Sequence, residues 1–160
     1  MTLTHGQKVL RAIEALIGQV RTSNGYRTES GSRVERQAPV FTKPNDGCDW
    51  QTLVYQESKE RKTGAVARDY VVGMLVNIDI LTRAGQGREP DLIEEIDEDI
   101  CRAVEVQSGR LYLDDAHIGS IQINETTLIP DLINSGLLGL RIQLRIQFRE
   151  RWGSPATITP

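Results

Sequence analysis

The stretch LGLRIQLRIQFRERW, from Leu138 to Trp152, decides the fold of this 160-residue chain. Its apolar side chains alternate with cationic or amide side chains, and a period of two is typical of a β-strand. The apolar positions are Leu138, Leu140, Ile142, Leu144, Ile146 and Phe148. The other positions are Arg141, Gln143, Arg145, Gln147, Arg149 and Arg151. The strand therefore has an apolar face, which other elements must cover, and a cationic face, which meets either water or an anionic partner.

Arg141, Arg145 and Arg149 form a ladder on the cationic face, and two interpretations of this ladder stay open. Charge-striped strands are common on half-exposed antiparallel sheets, so the ladder can be an ordinary solvated face. At about 3.3 Å per residue, however, successive arginines of the ladder lie roughly 13 Å apart, too far for one internal carboxylate to satisfy them all. The ladder is therefore also a candidate for binding an anionic partner.

Length and composition favour one domain over residues 1–155, followed by a flexible tail over residues 156–160. The net charge of −3 argues against nucleic-acid affinity carried by bulk charge. Cys48 and Cys101 are isolated thiols without a disulfide pattern, which indicates a reducing compartment. The start of the chain lacks the apolar core of a signal peptide, and no stretch is apolar enough to span a membrane. We therefore expect a soluble protein made in the cytoplasm.

Two amphipathic helices are predicted. Thr4 and Gln7 resemble a capping box, and apolar residues from Val9 to Val20 follow at helical spacing. Pro90 suits the first turn of a second helix, which has one apolar stripe. Its opposite side is acidic, with Glu94, Glu95, Asp97, Glu98 and Asp99. Acidic residues near a helix start also favour the helix dipole, so a solvated side is the simpler interpretation of this run.

The remaining segments predict strands. Residues 25–39 favour two short polar strands around Ser30-Gly31-Ser32, too polar for the core. Trp50 to Tyr55 and Val66 to about Leu81 favour a long hairpin whose charged tip, Glu57 to Gly64, extends beyond the folded body. The tip is a candidate assembly arm comprising Ser58, Lys59, Glu60, Arg61 and Lys62. Short strands at Leu111–Leu113 and His117–Glu125 precede the final strand. This order predicts an α+β fold: a mostly antiparallel sheet, two amphipathic helices on one face and a long protruding β-hairpin.

The sequence contains none of the common catalytic motifs, such as GxxxxGK[ST], GxGxxG, HExxH or GxSxG. His5 and His117 are isolated, so a metal site would have to consist of carboxylates. Asp114 and Asp115, together with Asp79 or with Glu94 and Asp97, could hold Mg²⁺ for a nuclease. Aspartates in a turn, however, also favour the turn itself. The sequence therefore favours a protein that is not an enzyme.

Five segments between about Leu10 and Pro155 form a further pattern in their order and spacing. They are LRAIEALI, GYRTESGSRVERQAP, YVVGMLVNIDI, EPDLIEEIDEDICRAV and FRERWGSP. In this arrangement the chain resembles the tail terminator family of long-tailed bacteriophages, also called tail completion or minor tail proteins. The resemblance implies a non-enzymatic α+β subunit without a cofactor. Such subunits form a ring, typically hexameric, at the head-proximal end of the tail tube, where they stop tube polymerisation and present a docking surface for the head connector.

The resemblance also implies partners and a location. The partners would be further copies of the chain, the major tail tube protein and the head-completion or connector protein, with the tape measure protein as a further candidate. Genomic DNA would pass through the ring without sequence-specific binding, and no membrane would be involved. The location would be the head-proximal end of the virion tail, after assembly in the host bacterial cytoplasm. Head-to-tail connector and tail-tube subunits stay open as alternatives because their size and composition are similar.

Within such a ring the arginine ladder has two possible roles. Arg141, Arg145 and Arg149 of one subunit could meet Glu94 or Asp97 of the next, because a head-to-tail contact needs no self-complementary surface. Alternatively, the ladder could line the lumen of the ring.

Overall fold

The computed structural model describes residues 3–36, 49–64, 69–83, 88–107, 112–113, 116–129 and 136–151. Two α-helices and six β-strands account for most of these residues. In chain order they are α1 (His5–Ile17), β1 (Val34–Glu35), β2 (Trp50–Thr63), β3 (Asp69–Arg83), α2 (Glu89–Gln107), β4 (Tyr112–Leu113), β5 (Ala116–Leu128) and β6 (Leu137–Arg151). None of the helices in these segments has both the length and the apolar character needed to cross a membrane.

The strands form a sheet in the order β1-β2-β3-β6-β5-β4. β1 and β2 are parallel, and every other neighbouring pair is antiparallel. The predicted α+β class and the mostly antiparallel sheet are therefore confirmed. β6 contains most of the stretch that opens the sequence analysis, and it lies between the long strands β3 and β5 at the centre of the sheet.

The two faces of the sheet follow the parity of β6. Phe148 pairs with Val72 and Leu140 with Ile80, so even-numbered residues of β3 and β6 share one face. Leu144 and Ile146 are fully buried on this face, and Phe148 is only 2% exposed, as the alternation predicts. We call this side the helix face, because its residues share one core cluster with apolar residues of both helices. We call the opposite side, with the odd-numbered residues of β3 and β6, the arginine face.

Each helix has the apolar stripe that the sequence predicts. In α1, the Thr4 hydroxyl accepts a hydrogen bond from the Gln7 amide, and the Gln7 side chain accepts one from the Thr4 amide, which completes the capping box. The residues of the stripes that lie in the core are Val9, Ile13, Leu16, Ile17, Ile96, Ile100, Ala103 and Val104. The two helices therefore contribute to the same core as β3 and β6.

The prediction of two polar strands around Ser30-Gly31-Ser32 is wrong for the described residues 25–36. This segment contains only β1, which pairs in parallel with Thr52 and Leu53 of β2. Thr28 and Ser30 are buried, at 2% and 0% exposure, because their polar groups find partners inside the protein. Gly31 lies so close to the end of α1 that an added Cβ would stand 2.2 Å from the Ile17 carbonyl oxygen. The segment is thus a loop that packs into the body.

The prediction of a hairpin tip over Glu57–Gly64 is also wrong. β2 continues through Thr63, and its residues Ser58–Lys62 pair with Leu75–Val71 of β3. β6 in turn pairs with β3 along its whole length, from Asp69 to Arg83. The charged residues therefore belong to a strand of the sheet, where charged side chains are common at an edge. Residues 65–68 and the C-terminal segment 152–160 lie outside the described residues.

Candidate functional site

Across the segments that the structure describes, no group of three or more His, Cys, Asp or Glu side chains is placed to hold a metal. Asp79 lies on the arginine face, whereas α2, with Glu94 and Asp97, packs on the helix face. Asp79 is therefore not close to Glu94 or Asp97, as a shared carboxylate site for Mg²⁺ would require. Asp114 and Asp115 lie outside the described residues. The charged surfaces of the described residues are the further candidates for a functional site.

Arg141, the first arginine of the ladder, is 34% exposed and is held by a buried carboxylate. Its Nε lies 2.8 Å from Asp79 Oδ1, and its second guanidinium nitrogen lies 2.9 Å from Asp79 Oδ2, a bidentate pair. The Asp79 side chain is fully buried, and it also accepts a hydrogen bond from the Tyr55 hydroxyl at 2.9 Å. These hydrogen bonds from Arg141 to Asp79 raise the pKa of Arg141 above its ordinary value. Arg141 therefore already has an internal partner, and its role toward another subunit or the lumen stays a prediction.

Further side chains extend this polar network across the arginine face. The Asn77 amide donates to the Tyr55 hydroxyl at 3.3 Å, and the Gln143 amide donates to Asn77 Oδ1 at 3.2 Å. Gln143 also donates to Glu57 and accepts from Asn124. The network thus connects β2, β3, β6 and β5. Burial raises the pKa of Tyr55, and the nearby Asp79 carboxylate adds to this effect. The Tyr55 hydroxyl therefore stays protonated at neutral pH and can keep donating to Asp79.

Arg145 and Arg149 differ from Arg141, since both are exposed. Arg145 lies opposite Leu75, and Arg149 lies opposite Val71, which is 37% exposed. Within the described segments, neither arginine forms a salt bridge. The part of the ladder available to an anionic partner therefore consists of Arg145 and Arg149, beside a partly apolar surface.

The acidic side of α2 also divides into residues with different roles. Asp99 is 2% exposed and accepts hydrogen bonds from the backbone amides of Arg27 and Thr28 and from the Thr28 hydroxyl. Glu98 forms an exposed salt bridge of 3.0 Å with Arg27. Asp97 accepts a hydrogen bond of 2.9 Å from Thr126 of β5, and Glu94 is exposed. Asp99 therefore holds the loop after α1, which the sequence analysis did not anticipate.

The segment Ser58–Lys62, considered above as an assembly arm, has its side chains on both faces. A register shift at Glu57 moves the odd-numbered residues that follow it in β2 onto the helix face. There, Arg61 Nε lies 3.0 Å from Glu150 Oε2, and the Lys59 ammonium lies 5.9 Å from the centre of the Phe148 ring. Nothing in the sequence shows where a bulge will occur, so these contacts could not be predicted from it.

Glu150 makes the stability of the fold depend on pH. Burial by itself would raise the pKa of Glu150, but Arg61, Lys59 and His5 more than offset this effect and lower it. Because the pKa is lower in the folded state, the carboxylate stabilises the fold above its unfolded pKa of about 4.3, and this contribution is lost as the pH falls through the folded pKa. Glu150→Gln is expected to cost about 1.5 kcal/mol at pH 7 and less at pH 3, measured by urea unfolding. Glu60→Gln, at an exposed position of β2, is the control and should show little difference at either pH; an equal loss for Glu150→Gln at both pH values would contradict the assignment.

Solved structures align with the chain at low sequence identity. No protein-family model matches the chain, and no curated protein matches it. A chain from the virion of a native gene transfer agent particle aligns with a TM-score of 0.46 and 12% sequence identity, over 75% of this chain and 81% of that one. A chain from the sheath/tube terminator, in the extended state, of an extracellular contractile injection system aligns with a TM-score of 0.48 and 10% identity. The alignment covers 100% of this chain, which spans 62% of the length of that one.

Proposed function

We propose that this chain is a structural subunit of a phage-like tail that forms a hexameric ring at the head-proximal end of the tail tube. There it stops polymerisation of the tube and gives the head connector a surface on which to dock. Its partners in this role are further copies of itself, the tube protein and the connector protein, with the tape measure protein as a further candidate. The chain is assembled in the cytoplasm of the host bacterium and needs neither a cofactor nor a membrane, and DNA passes through the ring without sequence-specific binding.

One structural observation supports the proposal beyond the sequence resemblance. The exposed cations Arg145 and Arg149 lie on the arginine face, and the exposed acidic residues Asp91 and Glu94 belong to α2, which packs on the helix face. Unlike charges on opposite sides of one sheet cannot pair within a subunit. Two surfaces of opposite charge on opposite sides of a subunit suit a head-to-tail contact between neighbouring subunits. Such contacts close into a ring when the rotation from one subunit to the next allows it.

The charge surfaces give a test that separates an interface from a lumen. If Arg145 contacts the acidic helix of the next subunit, Arg145→Glu should weaken ring assembly at least tenfold without unfolding the monomer, and Glu94→Lys should partly restore assembly. If Arg145 lines the channel, rings should form normally and only the passage of DNA or of tail components should change. Arg11→Glu, an equal charge reversal at an exposed position of α1, is the control. Normal assembly and normal particle function with Arg145→Glu would leave the ladder as a solvated surface.

The place of the ring can be tested by adding the gold-labelled chain to a polymerising tail tube protein from the same particle. We expect a cluster of labels at only one end of each tube, and tubes that stop growing. Label along the tube would show a tube subunit instead, and binding to the connector alone would show a neck protein. Light scattering of the purified chain should give a mass well above the 17.9 kDa of the monomer, and negative-stain images should show rings.

A further inference from the structure

The outer edge of β5 is an open strand edge. Among the described residues, β4 pairs with β5 only at Ala116 and His117, so no strand covers the edge from Ser120 to Leu128. Register shifts divide the other side of β5 into two regular runs of four residues, Ser120–Ile123 and then Glu125–Leu128. The second run lies at the C-terminal end of the strand. This run contains no lysine and no proline, the residues that usually protect an edge, and Leu128 is 49% exposed. β5 is therefore a template for pairing with another strand.

The direction of the backbone N–H groups on this edge follows from one hydrogen bond. The Ile129 amide donates to the Gly139 carbonyl oxygen of β6 at 2.9 Å, so the Ile129 N–H points into the sheet. Because N–H directions alternate along a strand, the N–H of Thr127 also points toward β6. The N–H groups of Thr126 and Leu128 point outward, where an added strand would accept hydrogen bonds from them.

A groove of about 410 Å³ lies beside β5 on the helix face. It is lined by Val104 and Glu105 of α2 and by the β5 segment Ile121–Ile123. The last turns of α2 therefore leave space along this part of β5. Side chains of an added strand that point to the helix face would enter this space, and their aliphatic portions would cover apolar surface of Ile123.

The outer edge of β2 is the counterpart on the other side of the sheet. β1 pairs with β2 only at Thr52 and Leu53, and within the described segments no strand covers Gln56–Thr63. Lys59 and Lys62 on this edge are matched by Glu57 and Glu60, and Arg61 is paired with Glu150. The β5 edge carries Glu125 and lies beside Asp97 of α2.

We propose that the open edge of β5 in one copy pairs with the open edge of β2 in the next copy, so that the sheet continues from subunit to subunit. This inference rests on the proposed ring and names the contact that builds it. The two edges lie on opposite sides of the same sheet, so each copy can use both at once in a head-to-tail contact. Backbone hydrogen bonds give such strand addition its affinity.

Proline tests the backbone contact. Thr126→Pro removes an outward N–H without removing a hydrogen bond to β6, whereas Thr126→Val removes the same hydroxyl contact to Asp97 but keeps the N–H. Self-association of Thr126→Pro, measured by analytical ultracentrifugation, should be at least tenfold weaker than that of Thr126→Val, with circular dichroism spectra that match. If Thr126→Pro unfolds the monomer, Leu128→Pro, which also removes an outward N–H, is compared in the same way with Leu128→Val.

Cross-linking tests the pair of edges directly. β2 of the next copy runs antiparallel to β5 in such a continued sheet, and alignment of the two open edges places Lys62 opposite Gln122 on the arginine face. In a background in which Cys48 and Cys101 are replaced by Ser, a Lys62→Cys chain is therefore mixed with a Gln122→Cys chain and treated with a short bis-maleimide. We expect a cross-linked heterodimer, and at least fivefold less of it when Arg11→Cys replaces Lys62→Cys.

The outcomes separate the edge contact from the function. Rings that form equally well with the Thr126→Pro and Thr126→Val chains, and give no excess of Lys62–Gln122 cross-links, would overturn the edge contact and leave the ring proposal in place. Open fibres with the expected cross-links would support the edge contact and overturn the ring. A wild-type chain that stays monomeric, both alone and at a tube end, would overturn both.

Discussion

Replacing Arg141 with methionine is expected to lower the free energy of unfolding by about 3 to 5 kcal/mol, because it leaves the Asp79 carboxylate buried without a counter-charge. The Asp79 side chain has no exposed surface, and Arg141 supplies both of its charge-assisted hydrogen bonds. Urea unfolding at pH 7 measures the effect. Arg145→Met is a matched control on the same strand and face, and since Arg145 is exposed it should change stability by less than about 0.5 kcal/mol.

A double-mutant cycle identifies the cause. Asp79→Asn removes the buried charge, so adding Arg141→Met to it should cost much less than Arg141→Met alone. If the two substitutions were additive, the loss would come from the packing of the Arg141 stem and not from the ion pair. Equal effects of Arg141→Met and Arg145→Met would contradict the conclusion that Arg141 is held by a buried ion pair while Arg145 and Arg149 are not.

The alternation in β6 was sufficient to predict which of its side chains are buried. It could not predict that Arg141 differs from Arg145, because the difference lies in the strand opposite. β3 places Asp79 beside Arg141 and Leu75 beside Arg145. That register joins residues about sixty positions apart and is set by the packing of the whole sheet. The sequence therefore predicts the ladder but not which of its members is free to bind a partner.

Both helices were predicted because their apolar stripes and the Thr4 capping box are local signals. The failed predictions concern segments whose conformation depends on distant contacts. Glu57–Gly64 was interpreted as a hairpin tip from its charge, but its strand is held by β3, which β6 supports from the other side. The polar loop around Ser30 was interpreted as exposed, but its polar groups find buried partners, among them an aspartate about seventy positions later in α2.

That aspartate is the second position at which a large effect is expected. Asp99→Ala should lower the free energy of unfolding by about 4 kcal/mol, because it leaves the amides of Arg27 and Thr28 and the Thr28 hydroxyl without their acceptor. Hydrogen bonds to a charged group each contribute about 1.5 to 3 kcal/mol, and a buried donor left unsatisfied carries a desolvation cost. Asp99→Asn keeps one acceptor oxygen but directs an NH₂ group at the donors, so its effect should be intermediate. Urea unfolding measures all three proteins.

Glu98→Ala is the control for the acidic run itself, since Glu98 is on the same helix but forms only an exposed salt bridge, with both side chains 61% exposed. It should change stability by less than about 1 kcal/mol. Hydrogen exchange adds a local measurement: the amides of Arg27 and Thr28 should exchange much faster in Asp99→Ala than in Glu98→Ala. If exchange at these two amides were the same in both variants, Asp99 would not be what holds the loop against α2. A loss of stability with Asp99→Ala would then have to come from α2 itself.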